Sequence, residues 1–263
     1  MLANWPTARE GHGGRRAEGG RAGGARPLGP RRARSDVGEP PAAGYSAAMK
    51  VVVVDARERL GELLVSGALS RGHEVTAFGA SRRTPAGAGP SGAQDGLRTV
   101  SGDLLDRVAV AAAVAGQQAV LYAVEPPAGR GRTTRASQGM LNIVRAMSAG
   151  GVRRLVCLSI GGPGSEPQGD QMGLIGRLFR SSPARDALAD LRQMEVTVRQ
   201  SGLDWTIVRP AKLVDGAGKH SWRAAPGYAL ARGTKIARAD VAEFMVGQLE
   251  SSVEPGHAIA IAW

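Results

Sequence analysis

From Lys50 to the C-terminus, short runs of β-branched and aliphatic residues alternate with stretches whose apolar residues recur every three to four positions. No other feature constrains the fold as tightly, because strands separated by helices pair in parallel and need both faces of their sheet covered. The strand-like runs are Val51–Val54, Glu74–Phe78, Thr99–Ser101, Ala119–Val124, Leu155–Ser159, Trp205–Val208 and Ala258–Ile261. Between them, Leu60, Leu63, Leu64, Gly67 and Ala68 form a helical stripe that Gly72 is placed to end. Further helices are predicted over Asp106–Val114, Met140–Met147, Asp186–Gln200 and Asp240–Leu249. The pattern predicts an α/β fold with a doubly wound parallel sheet, whose ligands bind outside the carboxyl ends of the strands.

Residues 1–48 differ from the rest. They are crowded with Gly, Pro and Arg, and eight arginines stand against four acids. Almost no large apolar side chain is available to offset the entropy of ordering, so the segment is expected to be a disordered tail ahead of a single domain over residues 49–263. A basic tail can touch nucleic acid or anionic lipid, yet no aromatic residues interleave its arginines, which argues against a nucleic-acid partner. Met49 opens the first strand, so the tail also reads as an over-called start or a leader without function. The chain shows no continuous apolar run long enough for a membrane span and no apolar core of a secretory signal, and a single cysteine, Cys157, excludes an internal disulfide. A soluble, cytoplasmic protein is expected.

KVVVVDARERLGELLVSGALSRGHEVTAF, VSGDLLD, GMLNIVRAMSAGGVRRLVCLSIGG and SGLDWTIVRPAKLVDG together resemble the atypical short-chain dehydrogenase/reductase superfamily. The branch they resemble is the NAD(P)H-binding one that holds flavin/biliverdin reductases and NmrA-like redox sensors. The resemblance covers residues 49–263 and implies a Rossmann-type fold. It also implies a first turn of the form GxxGxxG, in which glycines let helix N-terminal amides approach a pyrophosphate. Here Asp55 and Glu58 occupy the first two glycine positions and only Gly61 remains. At an effective dielectric near 20, a carboxylate ~5 Å from a phosphate charge costs roughly 3 kcal/mol, about two orders of magnitude in affinity. Arg57 and Arg59 flank Glu58 and offer to neutralise it or to reach the phosphates themselves; alternatively Glu58 caps its own helix.

The other cofactor positions implied by the resemblance are mixed. Ala80 stands where an arginine for a 2′-phosphate is common, but Arg82 and Arg83 follow and no acid awaits a ribose diol, which favours NADP as the cofactor. Asp103 matches the aspartate expected near the adenine and is equally an ordinary helix N-cap. Glu125 replaces a small residue beside the cofactor and adds a third acid to the crevice.

The Tyr-xxx-Lys pair of short-chain dehydrogenases is missing: none of Tyr45, Tyr122 and Tyr228 has a lysine four residues on. Ser159 occupies the superfamily's catalytic-serine position, facing either a ligand or its own loop backbone. Arg209 and Pro210 form the RP pair that borders the substrate pocket, where Arg209 binds an anionic substrate or pairs with a structural carboxylate such as Asp204. Lys212 follows in the same region, and His220 is the histidine best suited to acid–base work. No metal-ligand spacing emerges from the histidines. The leading expectation is an NAD(P)H-dependent oxidoreductase acting on a small aromatic or conjugated molecule. A cofactor-independent isomerase, cyclase or dehydratase using Asp55, Glu58, Glu125 or His220 is one alternative, and a non-catalytic NmrA-like sensor is another. Neither substrate nor oligomeric state is fixed by the residue pattern.

Overall fold

A computed structural model describes residues 48–79, 95–125, 134–161, 184–227, 229–230, 232–251 and 256–263. The basic tail, Arg82, Arg83, Tyr228 and residues 162–183 lie outside the described residues. The chain divides into two units, Met1–Asp36 and Val37–Trp263, and every described residue belongs to the second.

In chain order the elements are β1 (Lys50–Val54), α1 (Arg59–Ser70), β2 (Glu74–Gly79), β3 (Leu97–Ser101), α2 (Arg107–Val114), β4 (Ala119–Tyr122), α3 (Arg135–Gly150) and β5 (Arg154–Leu158). Then come α4 (Ala184–Arg199), β6 (Asp204–Pro210), β7 (Lys212–Val214), β8 (Arg223–Pro226), β9 (Lys235–Ala237), α5 (Arg238–Glu250) and β10 (His257–Ala262). Eight strands form one sheet in the order β3-β2-β1-β4-β5-β6-β10-β8, and β7 pairs with β9 in a second small sheet. Every pair in the large sheet is parallel except β10 with β8. This is a doubly wound Rossmann-type sheet, and the strand order reverses between β1 and β4, which opens a crevice at their carboxyl ends.

β1 is buried on both faces, and its four valines divide between two cores. Val52 and Val54 join Met140, Ile143, Met147, Leu191 and Met194 under α3 and α4. Val51 and Val53 join Leu60, Leu64, Val241 and Met245 under α1 and α5. A near-continuous apolar run is what a strand between two helical layers requires.

The N-terminus of α3 is secured from another helix. Thr134 takes the N-cap position without a side-chain capping bond. Instead the buried Asp190 carboxylate of α4 accepts the N–H groups of Ala136 at 3.0 Å and Ser137 at 2.9 Å. Asp190→Ala is therefore expected to cost about 1–2 kcal/mol, the usual range for a lost cap, read from the urea midpoint.

At the opposite end of the sheet, the His73 side chain is wholly inaccessible. Its Nδ1 accepts the Met49 N–H at 3.3 Å, while Nε2 lies 3.2 Å from Glu250 without a hydrogen bond. Burial lowers the imidazole pKa below its ordinary 6.5; Glu250 opposes this and Arg71 adds to it. In the window below about 6.5 the unfolded chain therefore takes the proton first. Stability from this residue is fully present above that pH and is lost as pH falls through the lower folded value. Urea midpoints at about pH 7.5 and 5.5 should fall further for the native sequence than for His73→Gln.

Candidate functional site

β1 runs directly into the turn at the reversal point. Asp55 has φ 59°, the left-handed region that glycine enters freely and that Asp and Asn tolerate better than other residues. This is why an aspartate can stand where the turn normally takes glycine. The Glu58 N–H donates to the Asp55 carbonyl at 3.0 Å and closes the turn. At Gly61, an added Cβ would stand 2.2 Å from the Asp55 carbonyl oxygen and 2.7 Å from Ala56 Cα. Both are backbone atoms, so only glycine lets α1 pack this close. Glu58 holds the N-cap position by its backbone, and its side chain makes no capping bond, contrary to the self-capping expectation.

The crevice acids are bound to arginines. Arg135 grips Asp55 through two bonds of 2.9 and 2.8 Å. Arg238 grips both oxygens of Glu125, at 2.7 Å from Nη2 and 2.9 Å from Nε, and donates through Nη1 to Asp215 at 2.8 Å. Arg59 completes the chain with a 2.7 Å bond to Asp215. Arg59, expected to neutralise Glu58, is thus engaged elsewhere. Burial raises the Asp55 pKa above its ordinary value; Arg135 opposes the shift, and Glu58, Asp103 and Glu125 reinforce it.

Arg59, Arg135 and Arg238 are the first residues of α1, α3 and α5. A helix N-terminus disfavours a cation, so each arginine needs an anion nearby. For Arg238 a sequence signal was available, an arginine directly after a strand-like segment where a helix opens; Arg135 stands thirteen residues beyond β4 and carries no such signal. Arg57 is half-buried and makes no ion pair with the described residues. Asp103 is exposed and accepts the Leu105 N–H at 3.0 Å in a local turn. The N-cap of α2 is Asp106, which accepts the Val108 and Ala109 N–H groups, so the capping alternative for Asp103 is corrected to its neighbour.

A second set of polar groups is buried at the ends of β5 and β6. Arg209, 2% exposed, donates to Glu195 of α4 at 2.8 Å from Nε and 2.6 Å from Nη2, and to the Gly227 carbonyl at 2.8 Å. Arg199 binds the same carboxylate at 2.8 Å. The structural partner of Arg209 is therefore Glu195; Asp204, the carboxylate suggested by proximity in sequence, pairs with Arg153 instead. Ser159 is also buried, at the end of β5. Burial alone would raise the Glu195 pKa, but the bonds from Arg209, Ser159 and Arg199 outweigh it and the net shift is downward. Pro210 is buried and accepts the Gly161 N–H at 2.9 Å, whereas Lys212 begins β7 with an exposed side chain.

The remaining candidates are each held by a specific partner. Tyr122 donates its hydroxyl to the Ala136 carbonyl at 2.7 Å, and burial pushes its phenol well above the ordinary range. His220 is exposed and bonds Glu243 at 2.7 Å, which raises the imidazole pKa. His220, Asp240 and Glu243 each bring one potential metal-ligand atom within 4.8 Å of the others, a grouping that residue spacing did not reveal. Asp240, however, already accepts from the backbone N–H groups of Lys219 at 3.0 Å and His220 at 2.9 Å and from the Trp263 indole at 2.6 Å. Those bonds secure the loop before β8 to α5. Among the described residues no helix is long and apolar enough to cross a membrane.

Comparison with known proteins fits this geometry. A short-chain dehydrogenase/reductase from Veillonella parvula, solved in complex with NADP, shares 18% identity with a TM-score of 0.67, over 82% of this chain and 94% of that one. The oxidoreductase ylbE of Lactococcus lactis shares 16% identity with a TM-score of 0.65, over 81% of this chain and 90% of that one. A provisionally assigned NADH-flavin reductase from Streptococcus pneumoniae shares 22% identity with a TM-score of 0.60, over 82% of this chain and 99% of that one. These likenesses are of fold. No curated protein matches the sequence. A sequence model described as NAD(P)H-binding matches residues 56–252, which spans β1's outgoing turn through α5, and the chain belongs to that NAD(P)H-binding family.

Proposed function

We propose that the protein is an NAD(P)H-dependent oxidoreductase that reduces a small conjugated molecule without a proton-donating side chain. The observation that carries the reading is the turn from Asp55 to Gly61. It keeps the left-handed start and the close helix approach of a phosphate-binding turn, and its intruding carboxylate is drawn into a bidentate bond with Arg135. The residues present therefore fit a dinucleotide. The first-turn amides of α1, which receive no side-chain cap from Glu58, and the Arg57 guanidinium would hold the pyrophosphate. Arg82 and Arg83, which follow β2 in sequence, favour the phosphorylated dinucleotide.

When bound, NADPH supplies a hydride. The protein's part is then to orient an acceptor and exclude water, since the Tyr122 hydroxyl is committed to the Ala136 carbonyl and His220 is tied to Glu243 on an exposed loop. Conjugated acceptors such as flavins and quinones take a proton from water after the hydride arrives, and they suit such a site. The same commitments weigh against a cofactor-independent isomerase, because Asp55 and Glu125 are tied to arginines and are poor proton shuttles.

The test is a titration of the purified protein with NADPH and NADH by nicotinamide fluorescence, followed by turnover with lumiflavin and a naphthoquinone. Saturable binding is expected, with kcat/KM flat from roughly pH 6 to 8 and unchanged in His220→Ala. A bell-shaped profile lost in His220→Ala would overturn the donor-free mechanism, and absence of binding would overturn the whole reading. Binding without turnover would instead support the sensor.

A further inference from the structure

We propose that Asp215 is a built-in competitor for the dinucleotide: its carboxylate holds Arg59 in the free protein and gives it up when the pyrophosphate binds. The proposal rests on the dinucleotide reading above and deepens it. Arg59 is the first residue of α1 and directly follows Glu58 on the phosphate turn, so its guanidinium belongs to the segment that meets the pyrophosphate. Asp215 comes from a distant part of the chain, immediately after β7, and its Oδ2 accepts from Arg59 Nη1 at 2.7 Å. A carboxylate of the protein thus stands as the anion on a cation beside the α1 amides, the chemical role of a phosphate oxygen.

Exposure and bonding decide which contact yields. The Arg59 and Asp215 side chains are 69% and 62% exposed, so their bond is screened by solvent and contributes little. Arg238 is only 14% exposed and is fixed by bonds to both oxygens of Glu125; its remaining nitrogen, Nη1, reaches Asp215 Oδ1 at 2.8 Å. Asp215 can therefore release Arg59 and stay bound to Arg238, and the exchange leaves no charge without a partner. Arg59 meanwhile gains a more highly charged partner at a helix N-terminus, so the exchange favours binding. The chain Arg59–Asp215–Arg238–Glu125 also runs from the turn after β1 to the segment after β4, the two strands that flank the reversal point. Its weakest link is the one at the phosphate turn.

The test is calorimetric titration, at one ionic strength, of the native protein, Asp215→Asn, Arg59→Gln and the double variant with NADPH and with NADH. Asp215→Asn keeps the shape of the side chain and removes the competing charge. It is expected to bind both dinucleotides about fivefold more tightly, the upper end of what an exposed ion pair supplies. Arg59→Gln should bind both about tenfold more weakly. In the double variant the gain from Asp215→Asn should shrink to within about 1.5-fold, because Arg59 is the group over which carboxylate and pyrophosphate compete. Unchanged or weaker binding by Asp215→Asn would overturn the inference, as would a gain that persists alongside Arg59→Gln, the mark of repulsion through space. A gain confined to NADPH would overturn it too, since the 2′-phosphate would then be the group that takes Arg59. Each of these results leaves the dinucleotide reading in place, whereas failure of all four proteins to bind either dinucleotide would overturn both.

Discussion

Replacing Glu195 with alanine is expected to destabilise the protein by about 3–5 kcal/mol, the range for breaking a buried ion pair from one side. The loss arises mainly from what is left behind. Arg209 is 2% exposed and would keep its charge without the carboxylate that takes two of its donors, at 2.8 and 2.6 Å. For a domain of this size each kcal/mol moves Tm by about 2–4 °C, so a fall of roughly 6–20 °C should be seen by calorimetry. The exposed Arg153–Asp204 pair provides the contrast, and Arg153→Ala should leave the midpoint nearly unchanged. Acid should act in the same direction. The Glu195 pKa is lowered in the fold, so its contribution is complete above the ordinary value of 4.5 and is lost as pH falls through the folded value. A loss in Glu195→Ala no larger than that of Arg153→Ala would show that the buried pair is not a unit of stability.

The second large effect is expected in binding. Arg135→Ala should weaken NADPH binding by about two orders of magnitude, because it leaves the Asp55 carboxylate uncompensated at the phosphate turn, where a charge at ~5 Å costs roughly 3 kcal/mol. The sign of its pH dependence follows from the same contacts. Burial already raises the Asp55 pKa and Arg135 is what lowers it, so the variant's Asp55 should take up a proton at a higher pH than in the native protein. Affinity in Arg135→Ala should then recover as pH is lowered from about 7 to 5, while native affinity changes less. Fluorescence titrations at the two pH values measure both effects. A pH-independent defect would point to lost shape rather than uncompensated charge.

Much of the architecture was legible in the sequence because the central strands β1, β4 and β5 are buried on both faces and read as apolar runs. The Val51–Val54 run, the stripe from Leu60 to Ala68 and the glycines that end α1 and α3 identify their elements directly. β7, β8 and β9 were missed because KLV, RAAP and KIA are too short to show a period of two. α3 begins at Arg135, five residues before its expected start, because its cap is Asp190, supplied by α4 rather than by a local residue.

At the site, the turn and its misplaced acids were readable, but their environment was not. Asp55 and Glu125 are paired with Arg135 and Arg238, which lie 80 and 113 residues from the carboxylates they bind. Only the fold brings them together. Likewise, Ser159 and Arg209 were found by resemblance, while Glu195, which binds Arg209, sits in the middle of a helix with nothing in its surroundings to mark it.

The central claim is that an arginine from α3 restores a phosphate site that Asp55 would otherwise spoil. Calorimetric titration of the native protein, Asp55→Gly and Arg135→Ala with NADPH tests it most directly. Affinity should be highest in Asp55→Gly, where the carboxylate is gone, intermediate in the native protein and lowest in Arg135→Ala. Equal affinity in the native protein and Arg135→Ala, or tighter binding by the latter, would contradict the account.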